Sequence, residues 1–160
     1  METIYFAGGC LWGVQYFVKR LPGVISTEAG RVNGNRGTLG GPYDGYAECV
    51  KTVFDPEKVS LEKLLEWFFE IIDPFSIDHQ GMDYGHKYRT GVYSQNPDHL
   101  NRVRDWIAAQ PDSQRIRVEV LPLTSYTASA PEHQDRLDRC PRDWRLCSIP
   151  RELMDRPRKA

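Results

Sequence analysis

Cys10 is the residue of this chain best placed to do chemistry. It stands in Gly8-Gly9-Cys10-Leu11-Trp12-Gly13, where a short apolar run, Thr3 to Ala7, gives way to a helical pattern. Backbone N–H groups at a helix N-terminus point at such a sulfur and favour its anion, so the position predicts a raised thiolate fraction at neutral pH. The flanking glycines permit a tight turn and close approach by a ligand. A free cysteine in a β–α turn is also an ordinary small buried hydrophobe, and position alone leaves that alternative open. Two further segments carry reactive side chains. Gly45-Tyr46-Ala47-Glu48-Cys49-Val50 sets a carboxylate into an otherwise apolar strand opening, with Cys49 facing the other side of the strand as packing. Gly81 to Thr90 supplies Asp83, Tyr84 and Tyr88 ahead of another strand. Taken singly, a glutamate at a strand start is usually solvated, and tyrosines before a strand are usually edge decoration.

The elements that must position these groups follow from periodicity and breakers. Thr3 to Ala7 reads as a buried strand, and Leu11, Val14, Phe17, Val18 and Leu21 then share one helix face until Pro22-Gly23. Val24 to Ala29 is β-like, and the glycine-dense stretch Asn33 to Gly45 is a surface excursion. Tyr46 to Phe54 is a strand. Ser60 caps a helix whose stripe runs Leu61, Leu64, Leu65, Phe68, Phe69, Ile72. Ser76 to Lys87 is loop and Tyr88 to Tyr93 a strand. Asn96-Pro97 opens a helix burying Leu100, Val103, Trp106 and Ile107. Val118 to Leu123 is a strand, and Ser129-Ala130-Pro131-Glu132 has the form of a capping box before a last short helix. Beyond Cys140 the chain is Arg- and Pro-rich, predicting an irregular tail over about 140–160 with a frayed end. One domain spanning 1–160 is expected. Its strands and helices alternate, each helix with one apolar face, which favours a two-layer sandwich of helices on a mixed sheet. Strand order does not follow from periodicity.

Composition narrows the class of function. The 160 residues carry 21 Lys+Arg against 22 Asp+Glu, which gives no electrostatic case for nucleic acid. No apolar run approaches the roughly 18 residues of a membrane span, and Met1-Glu2-Thr3 leads into Ile4 without a basic signal-peptide region, so a cytoplasmic protein is expected. The four cysteines at 10, 49, 140 and 147 are too few and scattered for a secreted disulfide framework and suit a reducing compartment.

Taken together and in this order, the segments resemble the type A peptide methionine sulfoxide reductases. That family shows a Gly-Cys-Phe-Trp-Gly turn, an Ala-Gly-Tyr and glycine-rich loop, Gly-His-Ala-Glu, a Leu-rich helix ending in Asp-Pro, and Asp-x-Gly-x-Gln-Tyr-Arg. The counterparts here are residues 9–13, 29–34, 45–48, 61–74 and 83–89. The resemblance implies an α/β (α+β) sandwich with a ferredoxin-like core. It also implies that Cys10 attacks the sulfoxide sulfur, releases methionine and becomes a sulfenic acid. Oxide leaves poorly unless protonated, and Glu48 is the implied proton donor, its pKa raised by an apolar pocket. Tyr88 is the implied hydroxyl on the sulfoxide oxygen, Asp83 a polar orienting group, and Trp12 the ring against the substrate methyl. In this family a C-terminal cysteine condenses with the sulfenic acid and thioredoxin reduces the disulfide. Cys147, with Cys140 close behind, is the implied resolving thiol on a tail mobile enough to reach Cys10. No metal or bound cofactor is implied, only an external thiol reductant. The implied substrates are oxidised protein or peptide methionine, or free methionine sulfoxide, as the S epimer.

The chain departs from the pattern near the site. Leu11 replaces an aromatic wall, Arg31 a tyrosine, Tyr46 a histidine and Lys87 a glutamine. Arg31 can donate hydrogen bonds to substrate, but a cation there favours ionised Glu48. Tyr46 can supply the missing hydroxyl. Aligning Pro141 with the family's Asn-Pro-x-Gly-Tyr-Cys leaves Cys147 two residues late and without its glycine. Three alternatives compete. A binding module for methionine or its sulfoxide is favoured by the changes at 11, 31 and 46, but needs neither thiolate nor acid. A zinc site from Cys140, Cys147, His133 and His86 lacks close ligand pairs. The glycine-dense loop lacks the order of a phosphate-binding loop.

Overall fold

The computed structural model describes residues 1–36 and 39–159. Part of the glycine-dense segment expected as a surface excursion therefore lies outside the described residues. Strands are β1 (Glu2–Gly8), β2 (Val24–Val32), β3 (Ala47–Phe54), β4 (His79–Gln80), β5 (Asp83–Tyr84), β6 (Thr90–Ser94), β7 (Glu119–Pro122) and β8 (Tyr126–Ala128). Helices are α1 (Leu11–Val18), α2 (Leu61–Glu70), α3 (Pro97–Ala108), α4 (Arg136–Arg139) and α5 (Arg151–Asp155).

The main sheet has six strands in the order β7-β6-β1-β3-β2-β8, and a separate ribbon pairs β4 with β5. Its four middle strands, with α1 between β1 and β2 and α2 between β3 and β6, form a ferredoxin-like β-α-β-β-α-β core. Every pairing in that core is antiparallel, whereas β7 joins β6 in parallel after the α3 crossover, so the sheet is mixed.

Alternation along the strands separates two apolar clusters. Ile4, Phe6, Val50, Phe54 and Val92 join the helices in the main core, where α2 contributes its stripe Leu61, Leu64, Leu65 and Phe68. Full burial of each such side chain is worth about 2 kcal/mol. Tyr5, Ala7, Val32, Ala47, Cys49 and Tyr93 line the opposite face beneath Tyr126 and Leu123. The caps expected at Ser60 and Asn96 form: Ser60 accepts from the N–H of Lys63 and Asn96 from that of Asp98. Trp106 and Ile107 pack against the core but stay partly exposed.

Several elements differ from expectation. The segment 76–87 contains the β4–β5 ribbon, and Tyr88 belongs to a 3-10 turn (His86–Tyr88), with β6 starting only at Thr90. The Ser129 capping box does not form. Ser129 instead donates its N–H to the Ala29 carbonyl and accepts from Gln134 Nε2, tying the end of β8 to β2. The tail is not irregular. A 3-10 helix (Pro141–Leu146) and α5 follow Cys140, because Ile149 and Met154 find room in the main core and Trp144 meets Tyr16 edge-on at 4.6 Å. Nor is the end frayed: Tyr16 donates to Asp155 at 2.7 Å, and Arg158 pairs with Glu70 at 2.8 Å.

Candidate active site

Three strand ends meet where α1 begins. In the β1–β3 register Phe6 faces Val50, which carried two residues further brings Gly8 level with Glu48. On the other side Arg31 of β2 faces Glu48 directly. Residues level in register point to the same face of a sheet, so Arg31 and Glu48 emerge together on the helix side. Cys10 follows Gly8-Gly9 as the N-cap of α1. Gly9 takes φ +92°, and a Cβ there would lie 2.7 Å from Cβ of Gln80. Buried Gln80 in turn holds both backbone groups of Asp73, at 2.8 and 2.9 Å, and so seats the β4–β5 ribbon under the Cys10 turn. That ribbon carries Asp83.

These residues line one cleft of about 340 Å³. Cys10, Leu11, Trp12, Arg31, Tyr46, Glu48, Asp83 and Tyr88, all expected from sequence, are brought together there. Lys87, Ser129, His133 and Leu146 line it as well. Of these, the sequence pointed to Lys87 only as a departure from the family pattern and to His133 only within the zinc alternative, and local pattern gave no signal of a site role for Ser129 or Leu146.

Burial pushes the Cys10 thiol up to about 12, and the neighbouring Cys147 and Glu48 push the same way. The N–H groups of Trp12 and Gly13 favour the thiolate, but desolvation outweighs them. The raised thiolate fraction expected from the helix N-terminus is thus not realised, since local sequence does not reveal how deeply the sulfur lies. Glu48 is also raised, first by burial and then by Asp83, against the opposing pull of Lys87, the Leu11 N–H and Arg31. Lys87 Nζ lies 3.9 Å from Glu48 Oε2 and exceeds Arg31 in its effect. Burial raises Asp83, and its Oδ2 is enclosed with no hydrogen-bond partner among the described residues. Tyr88 is raised by burial and by Glu48, which keeps its hydroxyl a donor.

The walls are held from behind. Trp12 donates its indole N–H to Nδ1 of His133 at 3.1 Å, with the Arg136 guanidinium 5.2 Å from the ring centroid. Tyr46 is fixed through its carbonyl, which accepts from the Tyr43 hydroxyl at 2.6 Å and from Arg89 at 3.2 Å. Arg31 stacks on the Tyr46 ring at 4.3 Å.

The tail cysteines differ in their surroundings. Cys147 is half-buried against α1, and a Cβ added at Gly13 would lie 2.6 Å from its sulfur. Its charge bears on Cys10, and burial raises its own thiol. Cys140 closes α4 through its N–H bond to the Arg136 carbonyl. Among the described residues no three His, Cys, Asp or Glu side chains converge as a metal site, and no helix is long and apolar enough to cross a membrane.

The family model for peptide methionine sulfoxide reductase matches residues 2–159. A peptide methionine sulfoxide reductase MsrA of Nocardia farcinica is 37% identical over 159 residues, covering 96% of this chain and 92% of the relative. One from Rhodopirellula baltica, MsrA 2, is 35% identical over 164 residues, covering 99% and 97%. Among solved structures, methionine sulfoxide reductase A of Corynebacterium diphtheriae superposes with TM-score 0.76 at 30% identity, over 93% of this chain and 82% of that one. Reduced Mxr1 of Saccharomyces cerevisiae shares the fold with TM-score 0.81 at 24% identity, over 88% and 86%. A family match over nearly the whole length, joined to relatives above 30% identity, settles the affiliation: this chain belongs to the peptide methionine sulfoxide reductase family.

Proposed function

We propose that this protein reduces the S epimer of methionine sulfoxide to methionine, with Cys10 as nucleophile and Glu48 as proton donor. The observation that carries the proposal is the convergence of a largely buried thiol and a largely buried, raised carboxyl on one cleft. The thiol proton passes by way of Glu48 to the sulfoxide oxygen, and the thiolate attacks the sulfinyl sulfur. The sulfur–sulfur bond so formed and the S–O bond then break as that oxygen passes to the Cys10 sulfur. Methionine leaves reduced by two electrons, and Cys10, oxidised by two, becomes a sulfenic acid carrying the same proton. Tyr88 donates to the oxygen, Asp83 orients the polar end of the pocket, and Trp12 with Leu11 receives the methyl group. Tyr46 and Arg31 complete the substrate wall.

Cys147 then displaces water from the sulfenic acid to form a disulfide, which thioredoxin reduces in the cytoplasm. Its seat against Gly13, one turn into α1, supports Cys147 over Cys140 for this step. No bound cofactor takes part, and oxidised protein, peptide or free methionine serves as substrate.

The test supplies each sulfoxide epimer with dithiothreitol and follows methionine. Loss of the S epimer alone is expected, abolished in Cys10→Ser and reduced by about 10²- to 10⁴-fold in Glu48→Gln. Undiminished turnover by Cys10→Ser would overturn the assignment.

A further inference from the structure

We propose that Arg31 and Lys87 form a carboxylate clamp at this cleft, selecting sulfoxides that carry an anion close to the sulfinyl group. The inference rests on the reductase reading above and names its preferred substrate class. Both cations line the cleft that holds Cys10 and Glu48. Arg31 is level with Glu48 in the sheet, and its guanidinium is propped on the Tyr46 ring at 4.3 Å with one N–H arm on the Leu39 carbonyl at 3.1 Å. A guanidinium has five donors in a planar fork, so donors remain for a carboxylate. Other arginines near these walls are already satisfied: Arg89 holds Glu119 at 3.0 Å and Arg136 holds Asp143 at 2.7 Å. Arg31 has no such acidic partner among the described residues. Lys87 lies 5.0 Å from the Tyr88 ring centroid and meets the Tyr88 hydroxyl, and its one acidic partner among the described residues is Glu48, at 3.9 Å, a carboxyl whose pKa burial raises.

The chemistry of the substrate fits. Two methylenes separate the sulfinyl sulfur of methionine sulfoxide from its α-carbon, so a carboxylate there falls within about 5 Å of the sulfur. An acidic side chain beside the oxidised residue in a peptide offers the same group. Binding also assists the reaction. Lys87 and Arg31 are the two cations that oppose protonation of Glu48, and Asp83, Cys10, Tyr88, Tyr46 and His133 are the other titratable groups lining the cleft. An anion seated between the cations offsets their pull and leaves Glu48 protonated more of the time, so kcat should rise as KM falls.

The experiment compares N-acetyl-methionine S-sulfoxide, which keeps its carboxylate, with the neutral N-acetyl amide. Free methionine sulfoxide and peptides with Glu, Ala or Lys beside the sulfoxide distinguish an α-carboxylate from a side-chain source. The wild-type protein should favour the carboxylate over the amide by about tenfold in kcat/KM at low ionic strength, as two partly exposed ion pairs allow. Added salt should shrink that preference without any mutation. The double variant Arg31→Gln, Lys87→Gln should bring the ratio near one. Equal use of both compounds by the wild-type protein, or a ratio indifferent to salt and to the double variant, would overturn the clamp while leaving the reductase reading intact. Turnover of neither compound would remove both.

Discussion

Burial acts on the Cys10 thiol and the Glu48 carboxyl in the same direction, raising the pKa of each. The pair can carry one proton to the substrate oxygen without drawing on solvent, and the cost is borne by the fold. A carboxyl whose folded pKa lies above its unfolded value contributes stability that is complete below the unfolded value and is lost as pH rises through the folded one. Glu48→Gln should therefore raise the melting temperature at neutral and alkaline pH, with the gain vanishing on acidification below the ordinary carboxylate range. Paired melting curves across pH test this, and a variant less stable than the parent at neutral pH would contradict it. Sequence displayed the glutamate in its apolar surroundings and the cysteine at its helix start. It did not display the balance at either. Lys87 reaches Glu48 from a 3-10 turn distant in sequence, and desolvation of Cys10 depends on packing that no local pattern encodes.

At the scale of elements, α1 presents Cys10 at its first turn and accepts the tail just beyond. Gly13 is where the two meet, since a methyl group there would press on both the Cys147 sulfur and Cδ1 of Ile149. Gly13→Ala should displace the tail, leaving release of the first methionine largely intact and slowing later turnovers that need Cys147. Burst and steady-state rates measured together read this out, and an unchanged ratio of the two would count against a seat at Gly13. Helices α1, α2 and α3 were legible because their apolar stripes or caps are local. The tail was not, as Pro and Arg spacing masks its few buried anchors, Ile149 and Met154, whose partners lie in the main core. The β4–β5 ribbon and β8 were missed for a related reason: strands of two or three residues are too short to display alternation.

Across the whole molecule, strand order brings the site together. Alternating strands and helices predicted layers but not the β6-β1-β3-β2 neighbours, and it is that order which sets Gly8, Glu48 and Arg31 abreast. The family resemblance supplied what periodicity lacked, the core topology and the grouping of Cys10, Glu48, Asp83 and Tyr88. A near-neutral chain thereby concentrates two cations and two raised carboxyls around a single sulfur. The central claim is that oxygen passes from the sulfoxide to that sulfur. A chain carrying Cys140→Ser and Cys147→Ser, mixed with methionine S-sulfoxide and no reductant, should release one methionine per chain and gain the mass of one oxygen on Cys10, trappable by a sulfenic-acid reagent. Methionine release without that mass on Cys10, or no release at all from the folded chain, would contradict the account.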